Sequence, residues 1–113
     1  MQYASVDISS ATTTTVVAAV AGKKIFVHGF FLVISGAVTP NTVTWRSGST
    51  DISGPIINVN AAGGGDPIVL TSPTVSNGHG GNIPTLETAA GEALNIVTGA
   101  ADQVSGYVVY EVE

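Results

Sequence analysis

The side chains that could do acid–base or metal chemistry are few: two histidines, His28 and His79, eight carboxylates and no cysteine in 113 residues. Without cysteine, disulfides and thiolate metal sites are excluded. A hydrolytic triad drawn from Ser76, His79 and Asp66 would need all three within about 3 Å of one another, and their spacing carries no such signature. Glu87 and Glu92 could serve as a glycosidase pair only across a sugar groove, roughly 5–9 Å apart. They read instead as solvated or paired carboxylates at the ends of structure. Gly63-Gly64-Gly65-Asp66 lacks the lysine and Ser/Thr of a phosphate cradle and reads as a turn. Asp51 and Asp66 lack the spacing of an EF-hand calcium loop. No catalytic, metal or cofactor site is therefore predicted.

Recognition chemistry has two better candidates. Asn77-Gly78-His79-Gly80-Gly81 lies in a glycine- and proline-punctuated stretch, residues 71–84, that reads as a long exposed loop. Loops on rigid β scaffolds often bind, which makes Ser76, Asn77, His79 and Asn82 a candidate recognition loop. Trp45, beside Arg46, offers a flat apolar ring for a sugar, with Tyr107 and Tyr110 as further aromatics. Against that use, Trp45 alternates in step with Val43, as a ring packed at a core edge or against another subunit would. His28 stands inside an apolar strand and reads as an interior or interface residue that could act as a proton switch in a subunit seam.

These residues must be positioned by strands. Apolar residues make up 44% of the chain and charged ones only 10%, so Thr, Ser and Asn must cover much of the exterior, and they favour strands and turns. Strands are expected at residues 3–8, 12–20, 25–34, 42–46, 56–59, 67–70, 93–98 and 103–112. A helix over 16–21 is the competing reading for the second. In the first, Ala4, Val6 and Ile8 oppose Tyr3, Ser5 and Asp7. In the last, Val104, Gly106, Val108, Tyr110 and Val112 face inward.

The third strand is apolar on both sides. Phe26, Phe30, Leu32 and Ile34 share one side with His28, and Ile25, Val27, Phe31 and Val33 share the other with Gly29. A sandwich covers one side of a strand, so the second side needs a partner subunit or a covering loop. The predicted oligomer interface is accordingly Ile25, Val27, Phe31 and Val33, with Trp45 and Tyr107 beside them. Phe31→Asp is expected to release monomers or abolish soluble assembly.

About eight strands in one domain predict an all-β sandwich with jelly-roll character. A folded monomer of this size should expose roughly 5,700 Å². The formal charge of −5, with only Lys23, Lys24 and Arg46 basic, argues against nucleic acid and polybasic membrane anchoring. Phe30-Phe31-Leu32-Val33-Ile34, the longest apolar run, is too short to span a bilayer. Residues 1–7 have neither the basic start nor the apolar stretch of a secretory leader.

Several short segments carry a resemblance: Gly22-Lys23-Lys24-Ile25, Phe30-Phe31-Leu32, Trp45-Arg46-Ser47-Gly48-Ser49-Thr50, residues 87–96 and Val104-Ser105-Gly106-Tyr107-Val108-Val109-Tyr110. Together they resemble the small β-sandwich virion proteins of tailed bacteriophages, meaning capsid decoration, head-fibre and tail-associated proteins. The resemblance implies a non-enzymatic structural subunit of a virion, a capsid decoration or fibre-base protein, assembled as a homo-oligomer, a trimer first, with other virion proteins as partners. It brings no catalytic motif and no ligand site. The rival expectation is a carbohydrate-binding or host-attachment module with a surface glycan near Trp45-Arg46 and the Ser76–Asn82 loop.

Overall fold

A computed structural model describes residues 2–35, 41–58, 68–71, 75–76 and 82–113. Twelve strands are found among them: β1 (Gln2–Ile8), β2 (Thr13–Val17), β3 (Ile25–Ser35), β4 (Asn41–Ser47), β5 (Thr50–Asp51), β6 (Ile56–Asn58), β7 (Ile68–Thr71), β8 (Val75–Ser76), β9 (Asn82–Ile83), β10 (Leu86–Glu87), β11 (Leu94–Thr98) and β12 (Gln103–Val112). Eight of these have three residues or more, and they form two antiparallel sheets of four. One runs β1-β12-β3 with β7 on the far edge of β3, and the other runs β2-β11-β4 with β6 on the far edge of β4. Numbered one to eight in chain order, the long strands read 1-8-3-6 and 2-7-4-5. Successive strands thus alternate between sheets, except for the fourth and fifth, which pair in one sheet, in the interlocked order of a jelly roll. The short strand β10 extends the first sheet, β5 extends the second, and β8 pairs β9.

The two sheets close on one apolar core, in which Ile25, Val27, Leu32, Ile34, Val43, Trp45, Leu94, Ile96, Val104 and Val108 are fully buried. Period-two alternation puts them there. Val43 and Trp45 share one side of β4, Leu94 and Ile96 one side of β11, and Val6 and Ile8 one side of β1. Val104 and Val108 point inward from β12, with Tyr110 and Val112 packed on the same core. The accessible surface is 5788 Å², close to the value expected from size.

Strand β3 departs from strict alternation. Its partner β12 pairs Val109 with Gly29 and Tyr110 with Val27, so His28 is an extra residue, a β-bulge. The bulge reverses the parity of the strand. Ile25 and Val27 point into the core before it, and Leu32 and Ile34 after it. The two faces predicted for this strand were drawn without the bulge and each mixes inward and outward residues. Ile25 and Val27, expected at a subunit interface, belong to the protein's own core.

Turns and buried polar groups tie the sheets together. Lys23 N donates to Val20 O (3.0 Å) around Gly22, whose φ is 72°. This turn ends the second strand at Val17, short of the expected Val20. The backbone amide of Ile25 donates to Thr88 Oγ1 at 2.9 Å, and Thr88 N donates back to Ile25 O at 3.0 Å. Ser47, also buried, donates its hydroxyl to Glu92 and accepts from Ala89 N at 2.9 Å. The segment from Thr88 to Glu92 is thereby pinned to β3 of one sheet and β4 of the other.

Candidate functional site

The odd-numbered residues of β12 and β1 point away from the core, and beyond the bulge at His28 the odd residues of β3, Gly29, Phe31 and Val33, come into line with them. The pairing then sets out rows across the outside of the first sheet. Ser5, Tyr107, Phe31 and Thr71 form one row, Asp7, Ser105, Val33 and Val69 the next, and Tyr3, Val109 and Gly29 a third. Tyr3 is 73% exposed, Val69 55% and Tyr107 46%, while Phe31, Val33 and Val109 are half-buried. The result is an apolar patch, rich in aromatic rings, that crosses four strands.

Ring geometry defines what the patch can do. Phe31 and Tyr107 stack at 5.9 Å with planes 21° apart, and Tyr3 stands edge-on to Tyr107 at 6.4 Å and 63°. Aromatic pairs favour both arrangements. Because Tyr3 and Tyr107 are steeply inclined to one another, the three rings do not share a plane. They offer a ridged apolar surface, fit for interlocking with side chains, and no continuous flat platform. Beside them, Gln103 Nε2 donates to Asp7 Oδ1 (2.6 Å) and Ser105 Oγ (2.9 Å), which supplies a polar rim.

The predicted interface residues divide. Phe31, Val33 and Tyr107 lie on the outer face. Ile25, Val27 and Trp45 have no exposed area to give a partner. Trp45 packs in the core against Phe30 at 5.1 Å, and its indole Nε1 has no hydrogen-bond partner among the described residues. This overturns its assignment to an interface or a sugar site. Arg46 is engaged by Asp51 across the β4–β5 hairpin, Nε to Oδ1 at 2.6 Å. Two surface residues escaped the sequence reading. Tyr3 had a signal, an aromatic on the polar side of its strand, whereas the exposure of Val69 depends on the placement of β7.

The expected recognition loop is only partly described. Ser76 and Asn82 face each other as a paired position of the β8–β9 ladder, so the stretch from residue 71 to 84 contains strand pairing. Asn77 and His79, with Asp66, lie outside the described residues. Among the carboxylates, Glu87 sits 3.3 Å from Lys24 Nζ and Glu92 is held by Ser47. His28 is 12% exposed, with Nε2 3.4 Å from Glu111 Oε2. Among the described residues no three His, Asp or Glu side chains gather as a metal site, and no helix is long and apolar enough to cross a membrane.

No family model matches the chain, and no curated protein matches it. Among solved structures, the C-terminal domain of EclA, a sugar-binding protein, is similar with a TM-score of 0.42 and 13% identity, over 99% of this chain and 77% of that one. The virus-like particle of extra small virus from the giant freshwater prawn Macrobrachium rosenbergii is similar with a TM-score of 0.36 and 14% identity, over 96% and 75%. Likenesses of this size assign neither a ligand nor an assembly.

Proposed function

We propose that this protein is a non-enzymatic structural subunit of a virion, a capsid decoration or fibre-base protein, and that it works by packing the outer face of its β1-β12-β3-β7 sheet against copies of itself or other virion proteins. The observation that carries the reading is the continuous apolar patch on that face. The inner face supplies the core, while Tyr3, Tyr107 and Val69 on the outer face keep large apolar area exposed. Aromatic side chains bury about 150–250 Å² each. The exposed parts of Tyr3, Tyr107 and Val69 therefore amount to on the order of 300 Å², the size of the largest apolar patch on a typical monomer, which is often functional. At about 25 cal/mol per Å², covering it is worth roughly 7 kcal/mol gross per protomer, before the cost of association. The resemblance to small phage virion proteins supplies the setting and the trimer.

Sedimentation equilibrium over a concentration series tests the reading. The wild type should be a defined oligomer, and Tyr107→Glu, which places a charge on the patch, should dissociate it while retaining the far-ultraviolet circular dichroism of a β protein. A wild type that stays monomeric at every concentration and does not bind virions would sink the proposal. A carbohydrate-binding module is the second reading, favoured by the exposed Tyr3 and Tyr107 rings beside Ser5, Asp7 and Gln103. Loss of glycan-array binding in Tyr3→Ala and Tyr107→Ala, with the protein monomeric, would establish it instead.

A further inference from the structure

We infer that the free edge of β1 pairs with the same edge of a second copy, antiparallel about Ser5, and so joins two sandwiches through one continuous sheet. This deepens the assembly reading by naming one of its contacts and the partner, a second copy of the chain. Among the described residues β1 is hydrogen-bonded on one side only, to β12. Proteins guard such edges with lysine, proline, bulges or short strands, because unpaired backbone groups template the addition of another strand. The other outer strands of the two sheets are guarded in these ways. Strand β2 skips a residue between Thr15 and Val17 where it meets β11, the strands β7, β6, β5 and β10 are short, with four, three, two and two residues, and Pro55 directly precedes β6. Strand β1 keeps seven consecutive regular pairs with β12 and contains neither lysine nor proline. It is a long, regular, open edge.

The identity of the occupant follows from register. Side chains alternate with a period of two, so a continued sheet must set even residues against even and odd against odd to keep Ala4, Val6 and Ile8 on the core side. Of the self-pairings that obey this rule, the one centred on Ser5 is the one that engages all seven residues. It sets Gln2 opposite Ile8, Ala4 opposite Val6, and Tyr3 opposite Asp7, twice. A phenol hydroxyl thus meets a carboxylate on both sides of the twofold, and Asp7, though it already accepts from Gln103, has acceptor capacity left. The two Asp7 carboxylates are kept four positions apart. Centring on Ala4 or Val6 shortens the ladder and loses the Tyr3–Asp7 complement. Such a twofold contact is isologous, and with an outer-face trimer it would link trimers in pairs.

Because the chain has no cysteine, Ser5→Cys places one thiol on each side of the proposed axis. Directly opposed residues in an antiparallel pair have Cβ atoms about 4.5–5.5 Å apart, the near end of which a disulfide spans (about 3.5–4.5 Å) and all of which a short bifunctional thiol-reactive reagent bridges. Under mild oxidation Ser5→Cys should form a covalent dimer, whereas Ser49→Cys, exposed at the β4–β5 turn, should do so at least about tenfold more slowly. Ser5→Lys opposes two like charges at the axis and should weaken pairing by about tenfold while the exposed site leaves the fold intact. The wild type should contain an even number of chains. A wild-type trimer that neither substitution affects overturns the edge contact and leaves the outer-face reading standing. A monomer throughout overturns the edge contact, and one that also fails to bind virions overturns both. An even oligomer in which Ser5→Cys cross-links no faster than Ser49→Cys assigns the twofold elsewhere and overturns the inference.

Discussion

Gly106 lies in the middle of β12 with a φ of 149°, a region that side-chain-bearing residues rarely adopt. A Cβ there would stand 1.9 Å from the carbonyl oxygen of Phe31, 2.9 Å from its carbon and 3.1 Å from Leu32 Cα. All three are backbone atoms of the neighbouring strand, so no side chain can swing aside. Gly106→Ala must therefore strain its own backbone, at about 1–3 kcal/mol, and part β12 from β3, at a further ~1–3 kcal/mol by analogy with overpacking. A loss of about 4 kcal/mol is expected, against a total of roughly 6–17 kcal/mol for a chain of this length. With a urea m-value of ~2 kcal/mol/M, the midpoint should fall by about 2 M. Gly54→Ala, at a position with an ordinary φ and no heavy atom within 4 Å of the added carbon, is the matched control and should be neutral or slightly stabilising. A Gly106→Ala midpoint indistinguishable from that of Gly54→Ala would refute the close approach of β12 to β3 and the register built on it.

Thr88→Val keeps the shape of a 2%-exposed side chain but strips the acceptor from the Ile25 amide, and urea melts should show a loss of about 1–3 kcal/mol. Trp45→Phe shrinks a buried ring while removing an indole N–H that has no partner among the described residues. The two effects oppose one another, so its cost should stay near 1 kcal/mol, against about 3–5 for Trp45→Ala. As the single tryptophan, Trp45 should emit as a buried indole in the native protein and shift to the red in step with the urea transition. Glu87→Gln breaks an ion pair whose side chains are 44% and 53% exposed, and calorimetry should find stability changed by less than about 0.5 kcal/mol.

Much of the sandwich was readable where alternation runs unbroken. The expected last strand, 103–112, coincides with β12 and faces as predicted, and Val43 with Trp45 and Leu94 with Ile96 pair up inside. The errors have physical sources. Period-two reasoning cannot see an inserted residue, so the bulge at His28 sent Ile25 and Val27 to the wrong side while Phe31 and Val33 were placed correctly outside. Trp45 was read as an edge residue although its alternation with Val43 equally fits the centre of a core. Strands of two residues, such as β5, β8, β9 and β10, are too short to show a period; β5 and β10 form against the longer β4 and β3, and β8 and β9 against each other. Thr88 and Ser47 look like ordinary surface residues until the chain folds around them, since their burial is set by backbone amides distant in sequence. Of the outer patch, the half on β3 and β12 was legible and the rows across β1 and β7 were not, because rows are a property of register.

The place of β12 between β1 and β3 has a consequence for biosynthesis. Gln2 pairs with Tyr110 and Ile8 with Val104, so β1 must wait for β12. At roughly 5–20 residues per second, a ribosome needs about 5–20 s to separate the making of β1 from that of β12. Throughout that interval the two strands that will flank β12 have no partner between them, and long-range pairings of this kind form slowly even when both strands are present. A polypeptide whose translation stops before residue 103 lacks the central strand of a sheet and cannot close the core. Truncated products of this kind stay unfolded, with the apolar faces of β1 and β3 uncovered.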